Sequence, residues 1–128
     1  MNKEKYNQLS REILDAAIAV HKEMGPGLLE SVYELCLLKD LQLRGIFAEN
    51  QVPIPLFYKG ERLHKDYRID ILVEKEIIIE LKAVEFILPV HEAQIISHLK
   101  LTNKKLGFLI NLNVPLLKEG FNRYVNNF

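Results

Sequence analysis

Cysteine is nearly missing from this chain, and its single copy, Cys36, excludes any disulfide within one molecule. It sits in an apolar helical pattern and reads as a small buried hydrophobe. No apolar run reaches the length of a membrane span, and the opening MNKEKYNQLS has no apolar signal region. The expectation is an intracellular, cytoplasmic protein without a membrane partner. Neither sign of charge is in excess: 17 Lys and Arg balance 17 Asp and Glu. A basic footprint over the whole chain, the mark of many nucleic-acid binders, is therefore absent. Any affinity for phosphate must come from local patches or from a bound metal. There is no GxGxxG, Walker, GxSxG or CxxC pattern, so nucleotide-driven and cysteine chemistry have no support. His91-Glu92 opens a zinc-like motif but lacks the second histidine of HExxH, and that reading fails. Repeats, low-complexity tracts and linkers are absent too.

What is present suits one ordinary globular domain over residues 1–128, with 48% hydrophobic and 27% charged residues. Tyr6, Leu9, Ile13, Ala16, Ala17 and Val20 recur at three- and four-residue steps, predicting a helix over 4–23 that Met24-Gly25-Pro26-Gly27 ends. A second helix is expected over 29–44, stopped by Gly45, with Val32, Leu35, Cys36, Leu41 and Leu43 buried on more than one face. Strands follow at 46–52 and 54–58; Pro53 and Pro55 mark the first as an edge or as bulged, and Lys59-Gly60 is a turn. Pro89 begins a helix over 90–102, with Val90, Ala93, Ile96 and Leu99 as its inward stripe beside a neighbouring stripe of His91, Gln94, Ile95 and His98. Residues 106–112 read as a buried strand, and the C-terminal segment as a short helix. The sum is a mixed α/β domain with one sheet and flanking helices.

The most informative stretch is Asp66–Val84, DYRIDILVEKEIIIELKAV. Alternation places Tyr67, Ile69, Ile71 and Val73 on one face of a strand and Arg68, Asp70 and Leu72 on the other. In the next run Ile77, Ile79, Leu81 and Ala83 oppose Ile78, Glu80 and Lys82. A hairpin looped through Glu74, Lys75 and Glu76 pairs Val73 with Ile77, which sets Asp70 across from Glu80 and Arg68 across from Lys82. A loop one residue longer or shorter would separate the two carboxylates onto opposite faces. Cross-strand ion pairs on a solvated face would satisfy this spacing. So would a metal site, because both strands are apolar enough to be central, where charge must be paired or bound to metal. Carboxylate oxygens beside a lysine suit Mg²⁺, a hard cation that keeps most of its waters.

Two motifs together resemble a known family. Gly27-Leu28-Leu29-Glu30-Ser31-Val32-Tyr33 fits the pattern of the GxxExxY proteins, and Asp70 followed by Glu80-Leu81-Lys82 looks like the D…ExK signature of the PD-(D/E)XK nuclease superfamily. The similarity continues through YKGERL, PVHEAQ and INLNVPLLKEG. It implies a restriction-endonuclease-like core in α-β-β-β-α-β order. It also implies a nuclease that uses Mg²⁺ or Mn²⁺ on nucleic acid, with DNA the expected substrate. In that scheme Asp70 and Glu80 are metal ligands, joined by the Leu81 carbonyl and by Glu30 directly or through water. Lys82 handles the attacking water or the developing phosphate charge, and Gln94 is an accessory group. One position departs from the pattern: His98 stands where similar proteins usually have Tyr.

Tyr33, on the face of Glu30, is expected to pack and hydrogen-bond near the site rather than react, and Gly27 to shape the approach to the helix. Lys59, Arg62, Lys65 and Arg68 before the hairpin, and Lys100, Lys104 and Lys105 after the Gln94 helix, could grip a phosphate backbone or simply be solvated surface. A non-catalytic binding or assembly module with the same fold is the alternative to an enzyme. A homodimer would ease cutting of both strands of a duplex.

Overall fold

The computed structural model describes residues 1–128. Helix α1 (Lys3–Met24) buries the expected stripe of Tyr6, Leu9, Ile13, Ala16, Ala17 and Val20, with His21 added. Asn2 caps its start, its Oδ1 accepting from the Lys5 N–H at 2.8 Å. Helix α2 (Glu30–Leu43) buries Tyr33, Glu34, Leu37 and Leu41, so one face alone is covered. Leu35 is 61% and Leu43 74% exposed, and Val32 and Cys36 are only half-buried, against the expectation of burial on more than one face. The helix meets α1 and the sheet, and its outer side is left to solvent. No helix is long and apolar enough to cross a membrane.

The strands are β1 (Ala48–Pro53), β2 (Leu56–Tyr58), β3 (Glu61–Leu63), β4 (Arg68–Val73), β5 (Ile77–Lys82), β6 (Leu106–Asn111) and β7 (Phe121–Val125). Five of them form one mixed sheet in the order β1-β4-β5-β6-β7. Only β5 and β6 run parallel, joined through α3 (Pro89–Thr102) as a parallel crossover requires. The run α2-β1-β4-β5-α3-β6 realises the expected α-β-β-β-α-β order within a mixed α/β fold.

The sheet separates two apolar clusters. On one face α1 and α2 cover twenty-one buried residues, among them Ile13, Leu41, Ile71, Ile79 and Phe108. On the other, α3 covers seven, including Leu72, Ile78, Ile95, Leu99 and Leu109. Gly107 allows α3 to lie close, since a Cβ there would meet Ile95 Cδ1 at 3.1 Å.

The hairpin between β4 and β5 adopts the expected register, with Val73 opposite Ile77 and Ile71 opposite Ile79. Glu74 and Lys75 take positive φ in its loop. Strand β1 is an edge, consistent with Pro53 at its end, and pairing skips Gln51, which has φ +52.

Four further expectations need correction. The C-terminal segment is not helical: after a single 3₁₀ turn (Leu117–Gly120), β7 pairs antiparallel with β6. A short Phe-Asn-Arg-Tyr-Val run is locally ambiguous, and the free edge of β6 settles it as a strand. The segment 54–58 is not a lone strand, because β2 pairs with an unforeseen β3 in a separate hairpin. The inward face of α3 is Ile95, His98 and Leu99, whereas Val90 is 55% and Ile96 38% exposed. Apolar residues surround this helix, so periodicity could not choose its buried side. Ile69 and Tyr67 pack with the smaller cluster rather than with Ile71, because strict alternation fails where β4 begins.

Candidate active site

Glu30, Asp70, Glu80, Lys82 and Gln94 line one cleft of about 210 Å³. They come from four elements: the first residue of α2, the middle of β4, the end of β5 and the second turn of α3. Tyr67, Arg68, His91 and His98 complete its polar wall. Leu81 sends its side chain into the larger apolar cluster and its N–H to Asp70.

Several bonds hold the cleft in shape. Asp70 Oδ2 accepts from the Leu81 N–H at 2.8 Å, tying β4 to β5 beyond the last paired residues. Glu30 Oε2 accepts from the Ala83 N–H at 3.2 Å, anchoring the start of α2 to the end of β5. Buried Asn111 accepts from the Val84 N–H at 3.1 Å and donates to the Val84 carbonyl at 2.8 Å, which fixes the chain just past Lys82. Tyr33 is fully buried; its hydroxyl donates to the Gly25 carbonyl (2.5 Å) and accepts from the Leu28 N–H (3.1 Å). It closes the loop in which Gly27 has φ +96, so the two residues position Glu30 and stay outside the cleft. On α3, His91 Nδ1 accepts from the Leu88 N–H at 3.0 Å and secures the helix start.

Sequence reasoning missed two neighbours. His98 is 7% exposed, and its Nδ1 is hydrogen-bonded to Glu80 Oε1. A carboxylate can only accept, so Nδ1 carries the proton; in the neutral ring the Tyr67 hydroxyl donates to Nε2 at 2.8 Å. Tyr67 also stands edge-on to the imidazole, centroids 4.9 Å apart. Glu34, one turn beyond Glu30, accepts from Asn50 Nδ2 (3.1 Å) and Gln51 Nε2 (2.7 Å) and borders a second hollow with Glu30 and Asp70. Its i, i+4 spacing from Glu30 was the available signal. For His98 the signal was its membership of the stripe with Gln94.

The four charges of the hairpin do not neutralise one another. No ion pair joins Asp70, Glu80, Arg68 and Lys82; the only one reaching the carboxylates is from His98. Arg68, in the wall of the cleft, is engaged elsewhere, donating to Asp66 Oδ1 at 2.5 Å and to the Gln51 carbonyl at 3.0 Å. Its expected place across from Lys82 is lost because the strands stop pairing at Ile71 and Ile79. Burial pushes the Asp70 carboxyl up from 3.8 to about 7, and the Glu80 and Glu34 charges add to the rise. The Leu81 N–H and the Lys82 charge oppose it without cancelling it. Burial and then the Glu80 charge likewise raise the Tyr67 hydroxyl.

This donor set fits a hard divalent cation. Asp70 and Glu80 each commit one oxygen to the protein, while the other makes no protein hydrogen bond and is not sealed from solvent. Two such carboxylates are enough for Mg²⁺, which takes its remaining ligands from water and phosphate. No three His, Cys, Asp or Glu side chains lie close enough to form an all-protein cage.

A family model for the PD-(D/E)XK nuclease superfamily matches residues 7–124. The chain belongs to that superfamily, and its mixed sheet with flanking helices is consistent with a restriction-endonuclease-like fold. Membership supports nuclease function. No curated protein and no solved structure matches the chain.

Proposed function

We propose that this protein is a metal-dependent nuclease that hydrolyses phosphodiester bonds, with DNA as its substrate. The observation that carries the reading is the carboxylate pair at the hairpin: Asp70, partly buried, and Glu80, buried and held only by His98, face one cleft with no Arg or Lys ion pair to either. Charges that served only the fold would be paired, because leaving them otherwise is costly.

In this reading Asp70 and Glu80 hold Mg²⁺ or Mn²⁺, with Glu30 contributing directly or through water and the Leu81 carbonyl an additional ligand. Such a cation would supply positive charge against the phosphate oxygens and make water more acidic. His98 holds Glu80 by one oxygen and leaves the other for the cleft. Lys82 projects into the same cleft from two residues beyond Glu80, and its ammonium offsets the charge that builds on the non-bridging oxygens. Gln94 can orient the attacking water, since its amide both donates and accepts. Hydrolysis forms a bond from water oxygen to phosphorus and breaks the bond to the leaving oxygen; one proton leaves the water and one is taken up by the leaving group.

The test is cleavage of DNA and RNA substrates with Mg²⁺ or Mn²⁺, with chelator and Lys82→Ala as controls, alongside calorimetric titration of metal. Cleavage that disappears in both controls supports the proposal. Absence of cleavage together with absence of metal binding at Asp70 and Glu80 would overturn it.

A further inference from the structure

Ten consecutive residues, Phe57–Asp66, are exposed, and they form the hairpin β2–β3 that stands apart from the main sheet. A two-stranded hairpin gains little from its own burial. Even so, Phe57 is 62% and Tyr58 64% exposed, with Leu63 beside them at 45%. Each ring has a cation alongside it: the Arg62 guanidinium is 5.7 Å from the Phe57 centroid, and Lys59 Nζ is 5.5 Å from that of Tyr58. Lys59, Arg62 and Lys65 have no carboxylate ion pair. From Leu56 to Arg68 the chain holds four basic residues (Lys59, Arg62, Lys65, Arg68) against two acidic ones (Glu61, Asp66), although its overall formal charge is zero.

The base of this hairpin is fixed at the lip of the cleft. The Ile54 N–H donates to the Tyr67 carbonyl at 2.7 Å, and Ile54 and Leu56 pack into the smaller apolar cluster. Tyr67 and Arg68, where the returning chain enters β4, line the cleft itself.

We propose that β2–β3 is an arm that holds an unpaired stretch of nucleic acid beside the cleft, with Phe57 and Tyr58 stacking on bases and Lys59, Arg62 and Lys65 contacting phosphates. The choice of substrate class rests on the nuclease reading above. The arm itself rests on exposed rings and unpaired cations on one element, the combination by which proteins hold single strands without reading sequence. Duplex DNA keeps its base faces stacked, so the rings favour unpaired nucleotides.

The test is fluorescence anisotropy with labelled oligo(dT), oligo(U) and a duplex, each of about twenty nucleotides per strand, longer than one such site. Chelator is present, so binding is read without turnover. Wild-type protein is compared with Phe57→Ala/Tyr58→Ala and with Arg62→Ala/Lys65→Ala, the folded state of each checked by circular dichroism. The arm predicts tighter binding of single strands than of duplex, and a loss of about tenfold or more with the ring variant. The cation variant should lower the slope of log affinity against log salt by about 1.4. Oligo(dT) against oligo(U) shows whether the arm favours DNA or RNA. Equal binding by all three proteins, or no binding of any single strand, overturns the arm. Cleavage and metal binding measured on the same proteins separate the two readings: binding through the arm with neither metal-dependent cleavage nor metal binding sinks the nuclease and keeps the arm. Cleavage with unchanged kcat/KM in both variants does the reverse.

Discussion

The face of the sheet beneath α1 and α2 buries twenty-one residues in one cluster, while the face beneath α3 buries seven and gives the rest of its area to the cleft. The same two strands serve both. Ile71, Val73, Ile77, Ile79 and Leu81 point to the larger cluster, and from between them Asp70, Glu80 and Lys82 point to the cleft. One side therefore supplies hydrophobic stabilisation, and the other carries desolvated charge that works against it. Strands anchored firmly on one side can hold poorly compensated groups in place on the other. A carboxylate site built this way is positioned by the core behind it, not by its own contacts.

Substitutions can break this division of labour from either side. The largest expected effect is on turnover: Asp70→Ala and Glu80→Ala should each reduce cleavage to background while circular dichroism and thermal melting show a folded chain. Wild-type rates in both variants would remove the site from the chemistry. Lys82→Ala should lower kcat by about 10²–10³, the range for removing one group that stabilises transition-state charge. From the apolar side, Ile79→Ala should cost about 2–5 kcal/mol in denaturant unfolding, because it opens a cavity between sheet and helices. His98→Ala should weaken Mn²⁺ binding about 10–100-fold in calorimetry, the range for losing a group that orients a ligand, with Glu80 left free to turn.

The smallest effect has the opposite sign and follows from Asp70. Its carboxyl is raised from 3.8 to about 7 in the folded chain. Between those values the folded protein holds a proton that the unfolded chain has lost, so the contribution to stability is complete below 3.8 and is lost as pH rises through about 7. Asp70→Asn keeps an acceptor for the Leu81 N–H and removes the charge. In chelator it should be more stable than wild type at pH 8, by on the order of 1–4 kcal/mol, with the advantage fading toward pH 4. Urea unfolding of both proteins across that interval measures it. A difference independent of pH would mean that Asp70 is not the group responsible. Mg²⁺ or Mn²⁺ should stabilise wild type and not the variant.

The legibility of this chain differed along its length for identifiable reasons. The stripe of α1 was readable because its polar face is strongly polar, so periodicity had contrast. For α3 it was not, since Val90, Ile95, Ile96 and Leu99 surround the helix, and only its packing over Gly107 chose Ile95, His98 and Leu99. The β4–β5 register followed from a three-residue loop and two apolar runs, and it carried Asp70, Glu80 and Lys82 to the same cleft. Arg68 escaped the same reasoning because pairing stops before it and Asp66 captures it. Strand β7 existed only as an answer to the open edge of β6.

By itself the sequence determined the local elements with clear period, the hairpin register and the spacing that puts two carboxylates and a lysine on one strand face. These are short-range consequences of side-chain alternation and loop length. The tertiary structure alone decided that Glu30 and Gln94 reach that face from two helices, that His98, itself bonded to Tyr67, holds Glu80, and that Asp70 is desolvated enough to resist ionisation. Those facts depend on which surfaces meet across the fold. Burial and electrostatic proximity arise only when distant segments are brought together, and no pattern along the chain encodes them directly.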